Sequence, residues 1–361
     1  MLEPPRLRAE VDRLAAEVAD WAGRAGRPVQ FMEVCGTHAH AAGRWGLRQL
    51  LPETVSLLSG PGCPVCVTPP GEIDWALELA ERPDTTVASF GDMLRVPGSA
   101  GSLADRRAAG AQVQVVYSPL EAVDLARAQP QRQVVFIGVG FETTAPAVAL
   151  AVRTAAHEHL DNFSLLCCHK LIPPAMRALL ESGEVRVDGF LCPGHVSAVL
   201  GLAPYQKLAE QYHAPCVVAG FEITDLLRGL RSLVRQVAEG RAEVENEYPR
   251  AVRPEGNPRA RALVDEVFRV VDARWRGLGW LPLSGLALRE AYAGLDAVRR
   301  FGLKPSEAGE HPLCHCGEVL RGVLRPHACE AFGTACTPEQ PLGPCMVSSE
   351  GACAAEYRYG S

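Results

Sequence analysis

Residues 132–155, "RQVVFIGVGFETTAPAVALAVRTA", run from an unbroken apolar stretch through a glycine turn into a long small-residue helix pattern. An apolar run without polar alternation is a strand buried on both faces. Such strands belong to parallel sheets covered by helices on each side. The same scheme recurs in "PVQFMEVCGTHAHAAGRWGLRQLL", "TVSLLSGPGCPVC" followed by "GEIDWALELAERP", "TTVASFGDMLRVPG", "FSLLCCHKLIPPAMRALLE", "VDGFLCPGHVSAVLG" and "APCVVAGFEITDLLRGLRSLV". Two turns resemble each other closely, "GVGFETTAPAV" from Gly138 and "VAGFEITDLLR" from Val218, which suggests a repeated unit. The expected fold class is therefore α/β, with two similar Rossmann-like lobes built on parallel sheets, residues 29–127 and 128–230.

The flanks read differently. Leu7, Val11, Leu14, Val18 and Trp21 recur at alternating spacings of four and three, one face of an amphipathic helix within residues 1–28. We expect that helix to pack on a third domain, residues 231–361. This domain begins charged and helical, with a Pro/Gly/Asn break at 254–258, and ends in a Cys-, Gly- and Pro-rich segment after Leu303. A segment that buries so little apolar side chain needs metal or disulfide staples.

Charge and hydropathy exclude several classes. The net charge of −6 gives no electrostatic reason to expect nucleic acid or an anionic membrane as partner. No apolar run approaches the roughly 18 residues that span a bilayer. The first residues, "MLEPPRLRAEVDRL", hold acids and no apolar signal core, so the expected location is cytoplasmic.

In a reducing compartment, 13 cysteines argue for metal or redox chemistry rather than a disulfide framework. Six lie in the tail: Cys314-x-Cys316, then 12 residues to Cys329, 6 to Cys336, 8 to Cys345 and 7 to Cys353. The paired CxxC knuckles of a tetrahedral zinc site are missing from this run. Dispersed thiolates interrupted by prolines suit an iron–sulfur cluster; zinc and free thiols are the alternatives. The expected cluster ligands are Cys329, Cys336, Cys345 and Cys353, with Cys316 as first substitute. Cys167, Cys168, Cys192 and Cys216 lie in or beside apolar strands and read as core.

"SGPGCPVCVTPPGEID", residues 59–74, holds Cys63 and Cys66 in a stiff loop before a helix near Pro70. The pair reads as a thioredoxin-like redox couple, as two metal ligands, or as both in turn; buried small hydrophobes beside prolines are the plain alternative. Cys35 in "EVCGTHAH" also stands at a strand end where a glycine turn opens a helix, with His38 and His40 close by. Strand ends of parallel sheets share one crevice, so Cys35, Cys63 and Cys66 can meet there. His38 is a candidate proton donor or orienting group, or an ordinary helix-N-terminal histidine. Glu142, Thr143, Thr144, Asp92 and His195 line the same kind of turn and read equally well as caps.

"MEVCGTHAH", "GPGCPVCVTP", "FGDMLRVPG", "GVGFETTAPA", "PGHVSAVLG" and "PLGPCMVSSEGAC" look like the motifs of the HypD family of NiFe-hydrogenase maturation factors, in the family's order, from about residue 30 to 358. The resemblance implies two similar α/β domains and a cluster domain around a central cleft. It implies a scaffold on which the Fe(CN)2CO unit is assembled, working with the small chaperone HypC and receiving cyanide from HypE, with HypF upstream. It implies a C-terminal 4Fe–4S cluster, and it places the family's iron-binding cysteines at Cys35, Cys63 and Cys66. Cys63 and Cys66 would serve as further ligands or as a dithiol passing electrons to the iron. A cluster-fed protein thiol–disulfide reductase, to which Cys35 is dispensable, is the other function these cysteines allow. A passive protein-binding scaffold with a structural cluster is a third.

Overall fold

The computed structural model describes residues 5–306 and 308–360. It is an α/β structure with two all-parallel sheets. Nine strands form them: β1 (Val29–Glu33), β2 (Val55–Ser59), β3 (Thr85–Ser89), β4 (Val113–Val115), β5 (Gln133–Gly138), β6 (Phe163–Cys167), β7 (Gly189–Pro193), β8 (Cys216–Ala219) and β9 (Val244–Asn246). Sheet A has the order β2-β1-β7-β8-β9, and sheet B the order β4-β3-β5-β6. The unbroken apolar runs do become strands with both faces covered. Val134, Val135, Phe136 and Ile137 of β5 are all buried, as are Phe190, Leu191 and Cys192 of β7.

The sheets do not follow a cut between residues 127 and 128. Sheet A takes β1 and β2, leaves the chain for the whole of sheet B, and resumes at β7, where Met32 stands in register with Phe190. The chain crosses out along the helix Pro70–Ala80 and returns along the helix Ile172–Ser182. Sheet B is thus an insertion within sheet A. The two Gly-Phe-Glu turns fall one in each sheet, after β5 and after β8.

Residues Pro5–Ala25 form the expected amphipathic helix, and Val11, Leu14, Val18 and Ala22 are buried. They share a core with Phe31 of β1 and with Leu226, Leu227 and Leu230 of the helix Ile223–Ala238. Glu17 pairs with Arg231 at 3.1 Å across the same contact. That helix covers sheet A and runs through the expected boundary at 230/231, so the N-terminal helix is part of the sheet A layer.

After a helix at Pro258–Val267, the segment read as charged and helical beyond the 254–258 break turns into an antiparallel hairpin, β10 (Phe268–Trp275) and β11 (Gly279–Leu288). Val270 and Val271 favour the pleated surface, and pairing with β11 overrides the local helical pattern. The hairpin lies beside sheet B, where the N–H of Leu171 donates to Ser284 O at 2.9 Å. The cysteine tail then folds back as short helices, Cys316–Leu320, Pro344–Val347 and Ala352–Tyr359. Among the described residues no helix is long and apolar enough to cross a membrane.

Candidate metal and redox centre

Cys35 follows β1 directly and occupies the N-cap position of the helix Gly36–Arg44. Cys63 follows β2 through a three-residue turn and caps the short helix Pro64–Val67, its sulfur accepting the N–H of Cys66 at 3.1 Å. His195 follows β7 at the start of the helix Gly194–Leu200, and Gly220 and Phe221 follow β8. β2, β1, β7 and β8 are consecutive neighbours in sheet A. Their C-terminal ends therefore form one crevice, the place where open parallel sheets bind ligands.

Backbone contacts hold this crevice together. The N–H of Gly36 donates to Gly62 O at 2.8 Å, and that of Gly60 to Glu33 O at 2.8 Å. A Cβ on Gly62 would stand 2.0 Å from Cys35 N and 2.4 Å from Cys35 Cα, so only glycine lets the two cysteine loops lie this close. Cys63 and Cys66 form a disulfide with an S–S distance of 2.12 Å, and both are buried.

The electrostatics keep Cys35 protonated. Burial pushes its thiol well above the ordinary cysteine range, and the nearby Glu350 and Glu33 carboxyls add to this. Glu33 is itself buried and raised to about 8 by desolvation, although it accepts the N–H of Cys35 at 2.9 Å. Cys35 Sγ lies 3.7 Å from His195 Nε2. Burial lowers His195 to about 4, so at neutral pH it is an uncharged imidazole within hydrogen-bonding reach of the thiol. A soft metal ion arriving at Cys35 has to displace that proton, which leaves past the half-buried His195 to solvent.

His38, the histidine expected to serve this site, lies fully buried one helical turn after Cys35. Its Nε2 lies 3.0 Å from Gly220 O and 3.3 Å from Ala219 O, while Nδ1 has no partner among the described residues. Desolvation, with His195 as a lesser cause, lowers it to about 4. Phe221 stands between the two histidines, with ring centroids 5.1 Å from His38 and 5.0 Å from His195. His38 thus ties helix Gly36–Arg44 to the β8 turn, and His195 faces the sulfur. The sequence carried a signal for His195: it stands two residues after a buried strand, as Cys35 does.

The tail closes over the crevice. Thr37 Oγ1 donates to Glu350 Oε1 at 2.7 Å, Ser348 Oγ to Asp92 Oδ2 at 2.8 Å, and His40 Nδ1 lies 3.2 Å from Ser349 O. Cys66 Sγ lies 3.9 Å from Pro344 O, next to Cys345. Cys314, Cys316, Cys329, Cys336 and Cys353 line one small apolar cavity beside Met346. Cys316, Cys345 and Cys353 are buried free thiols within hydrogen-bonding reach of one another; hydrogen bonds from Cys316 and Cys345 draw Cys353 down, while hydrogen bonds to Cys316 and Cys353, and burial after them, push Cys345 up. Of the expected ligands, Cys345 and Cys353 are in this buried group, with Cys316 as third member. Cys336 and Cys329 are half-buried at the cavity wall, and Cys336 Sγ accepts the N–H of Leu342 at 3.4 Å.

Among the described residues no three His, Cys, Asp or Glu side chains converge on a point that would hold a single ion. The donor set is all sulfur, drawn from separate loops around a shared cavity. That chemistry fits soft iron taken up one thiolate per iron, and it does not fit a hard oxygen-seeking cation.

A family model described as HypD, "Hydrogenase formation hypA family", matches residues 9–360. The chain is 51% identical over 342 residues to the hydrogenase maturation factor HypD2 of Bradyrhizobium diazoefficiens, covering 92% of this chain and 90% of that protein. It is 50% identical over 356 residues to HypD of Cupriavidus necator, covering 96% and 94% of the two chains. It is 45% identical over 357 residues to HypD of Escherichia coli (strain K12), covering 99% and 96%. With its sulfur crevice, its covering tail and a match along almost all its length, the chain belongs to the HypD family of hydrogenase maturation factors.

Proposed function

We propose that this member of the family is the scaffold on which the Fe(CN)2CO unit of NiFe-hydrogenase is assembled at Cys35, with a HypC-type chaperone supplying a second protein ligand. A HypE-type protein delivers cyanide, itself supplied through HypF. The observation that supports this best is the backbone fusion of the two cysteine loops, Gly36 N–H to Gly62 O, with His195 and the tail packed on it. The iron is the cargo. Cys35 binds it as thiolate, the iron displacing the thiol proton past His195 to solvent, and Glu33 holds the Cys35 backbone in place.

Cys316, Cys345 and Cys353, with Cys336 or Cys329 as fourth, would hold a 4Fe–4S cluster, which supplies one-electron transfer when bound. The Cys63–Cys66 disulfide takes up two electrons and two protons to give two thiols beside Cys35, which can then bind or reduce the cargo. The third expected reading, tail cysteines with a purely structural task, predicts that Cys63→Ala leaves maturation intact. The reductase reading gains support from the disulfide itself.

The test is infrared spectroscopy in the CO and CN stretching region, on chain purified without oxygen together with its small partner. Iron and acid-labile sulfide are counted on the same samples. CO and CN bands in the wild type that vanish in Cys35→Ala, with sulfide retained, are the expected result. Absence of bands in a wild type with intact sulfide and a reducible Cys63–Cys66 pair would favour the reductase.

A further inference from the structure

A cavity of about 240 Å³ lies between the turn after β5 and the helices Ile172–Ser182, Gly194–Leu200 and Pro258–Val267. Pro173, Pro204, Leu200, Val264, Phe268 and Leu286 make its walls mostly apolar. Three ionic side chains also line it, the carboxylates Glu142 and Asp265 and the guanidinium of Arg261. Two of them have an atom buried without a partner, Glu142 Oε2 and Arg261 Nε. The other Glu142 oxygen is fixed by the N–H of Ile172 at 3.0 Å, so the carboxyl cannot turn away without losing that bond. Unpaired buried ionic atoms are costly in a folded protein, and a ligand that pairs both removes the cost. Apolar walls with few placed polar groups are the usual make-up of a small-molecule site.

We propose that this cavity binds a free α-amino acid with an aliphatic side chain. The α-ammonium pairs with Glu142, the α-carboxylate pairs with Arg261, and the side chain fills the space between the prolines, Leu200 and Phe268. The two charges of such a ligand match the two unpartnered atoms in sign and number. The helix Gly194–Leu200, which presents His195 to Cys35, ends in this wall with Val199 and Leu200.

The test is isothermal titration calorimetry of the full chain with L-leucine and with its two halves, 3-methylbutylamine and 4-methylpentanoate. L-Leucine should bind saturably at one site per chain, and each half should bind about tenfold more weakly or worse, as expected when one charged hydrogen bond is lost. Arg261→Ala should weaken L-leucine to a similar extent and leave the amine unchanged. Glu142→Gln, which keeps an acceptor for Ile172, should weaken L-leucine and the amine and spare the acid. No saturable heat with L-leucine, equal affinity for the three compounds, or unchanged binding in Arg261→Ala would overturn the assignment. Arg261 is only half-buried, so its variant decides the matter should Glu142→Gln fail to fold.

Discussion

Strand β5 of sheet B and strand β8 of sheet A run into the same Gly-Phe-Glu turn, Gly140-Phe141-Glu142 and Gly220-Phe221-Glu222. After β5 the phenylalanine is buried and stacks on Trp275 at 6.0 Å, and the glutamate turns inward to hold a neighbouring helix. After β8 the phenylalanine stands between His38 and His195, and Glu222 is exposed, capping its own helix with Asp225. One turn therefore builds two kinds of edge. In sheet B polar groups pair off: Thr144 Oγ1 lies 3.2 Å from His169 Nε2, and Lys170 Nζ 2.6 Å from Glu72 Oε1. In sheet A they gather round a sulfur. The turn supplies a position, and the neighbouring strand ends decide what is done there.

The strongest way to break this comparison is at the Lys170–Glu72 pair, which is nearly inaccessible at the lysine end. Lys170→Met leaves a largely buried carboxylate alone and should cost about 3 kcal/mol or more in urea unfolding. Adding Glu72→Leu should recover much of the loss. A cost under about 1 kcal/mol in the single variant would mean that the edge of sheet B is not held internally.

The two edges also differ in how they tolerate a methyl group. Gly62→Ala meets the backbone of Cys35, whereas a Cβ on Gly140 meets Thr144 Oγ1, the end of a side chain that can rotate. Gly62→Ala should lower stability by about 3 kcal/mol and Gly140→Ala by about 1 kcal/mol. Equal losses by chemical denaturation would show that the cysteine loops are not packed as tightly as described.

Titration separates Glu142 from the rest of its edge. Burial raises its carboxyl to about 7 from an ordinary 4.5, so between those values the folded chain holds a proton that the unfolded chain has released. This group's contribution is present below pH 4.5 and is lost as pH rises towards 7. His169, lowered to about 3 by burial, acts in the opposite sense, since the unfolded chain binds its proton below pH 6.5. Glu142→Gln should therefore gain on the wild type by about 3 kcal/mol between pH 4.5 and 7. A difference between the two chains that stays constant with pH would contradict the raised carboxyl.

The smallest effect concerns the covering tail of sheet A. Thr37→Val removes the bond to Glu350 and should cost about 1 kcal/mol. Amide hydrogen exchange should rise at residues 348–351 and stay unchanged along sheet B. Unaltered exchange there would show that this bond does not hold the tail down.

The legible parts of the fold were those encoded locally. The helix Pro5–Ala25 showed in the spacing of Val11, Leu14 and Val18, and β5 in its unbroken apolar run. Strand order was not legible, because the pairing of Met32 with Phe190 joins positions far apart and leaves no local trace. The strand Phe268–Trp275 was masked by a helical spacing that only its partner β11 overrules. At the site, Cys35, Cys63 and Cys66 showed through their glycine turns, and these turns do bring them together. His195 was passed over for His38 because closeness in sequence stood in for closeness in space. The grouping of Cys316 with Cys345 and Cys353 depends on how loops fold, which spacing in a non-periodic tail does not encode.

The insertion of sheet B within sheet A also sets an order in time. As the chain leaves the ribosome, all four strands of sheet B are available before β7 exists, so that sheet can close while sheet A is still only the β1–β2 pair. Cys35 then waits 160 residues for His195, and longer for the tail that covers both. One of the first thiols made is among the last enclosed. A nascent chain built this way is most open to stray metal and oxidants during its own synthesis.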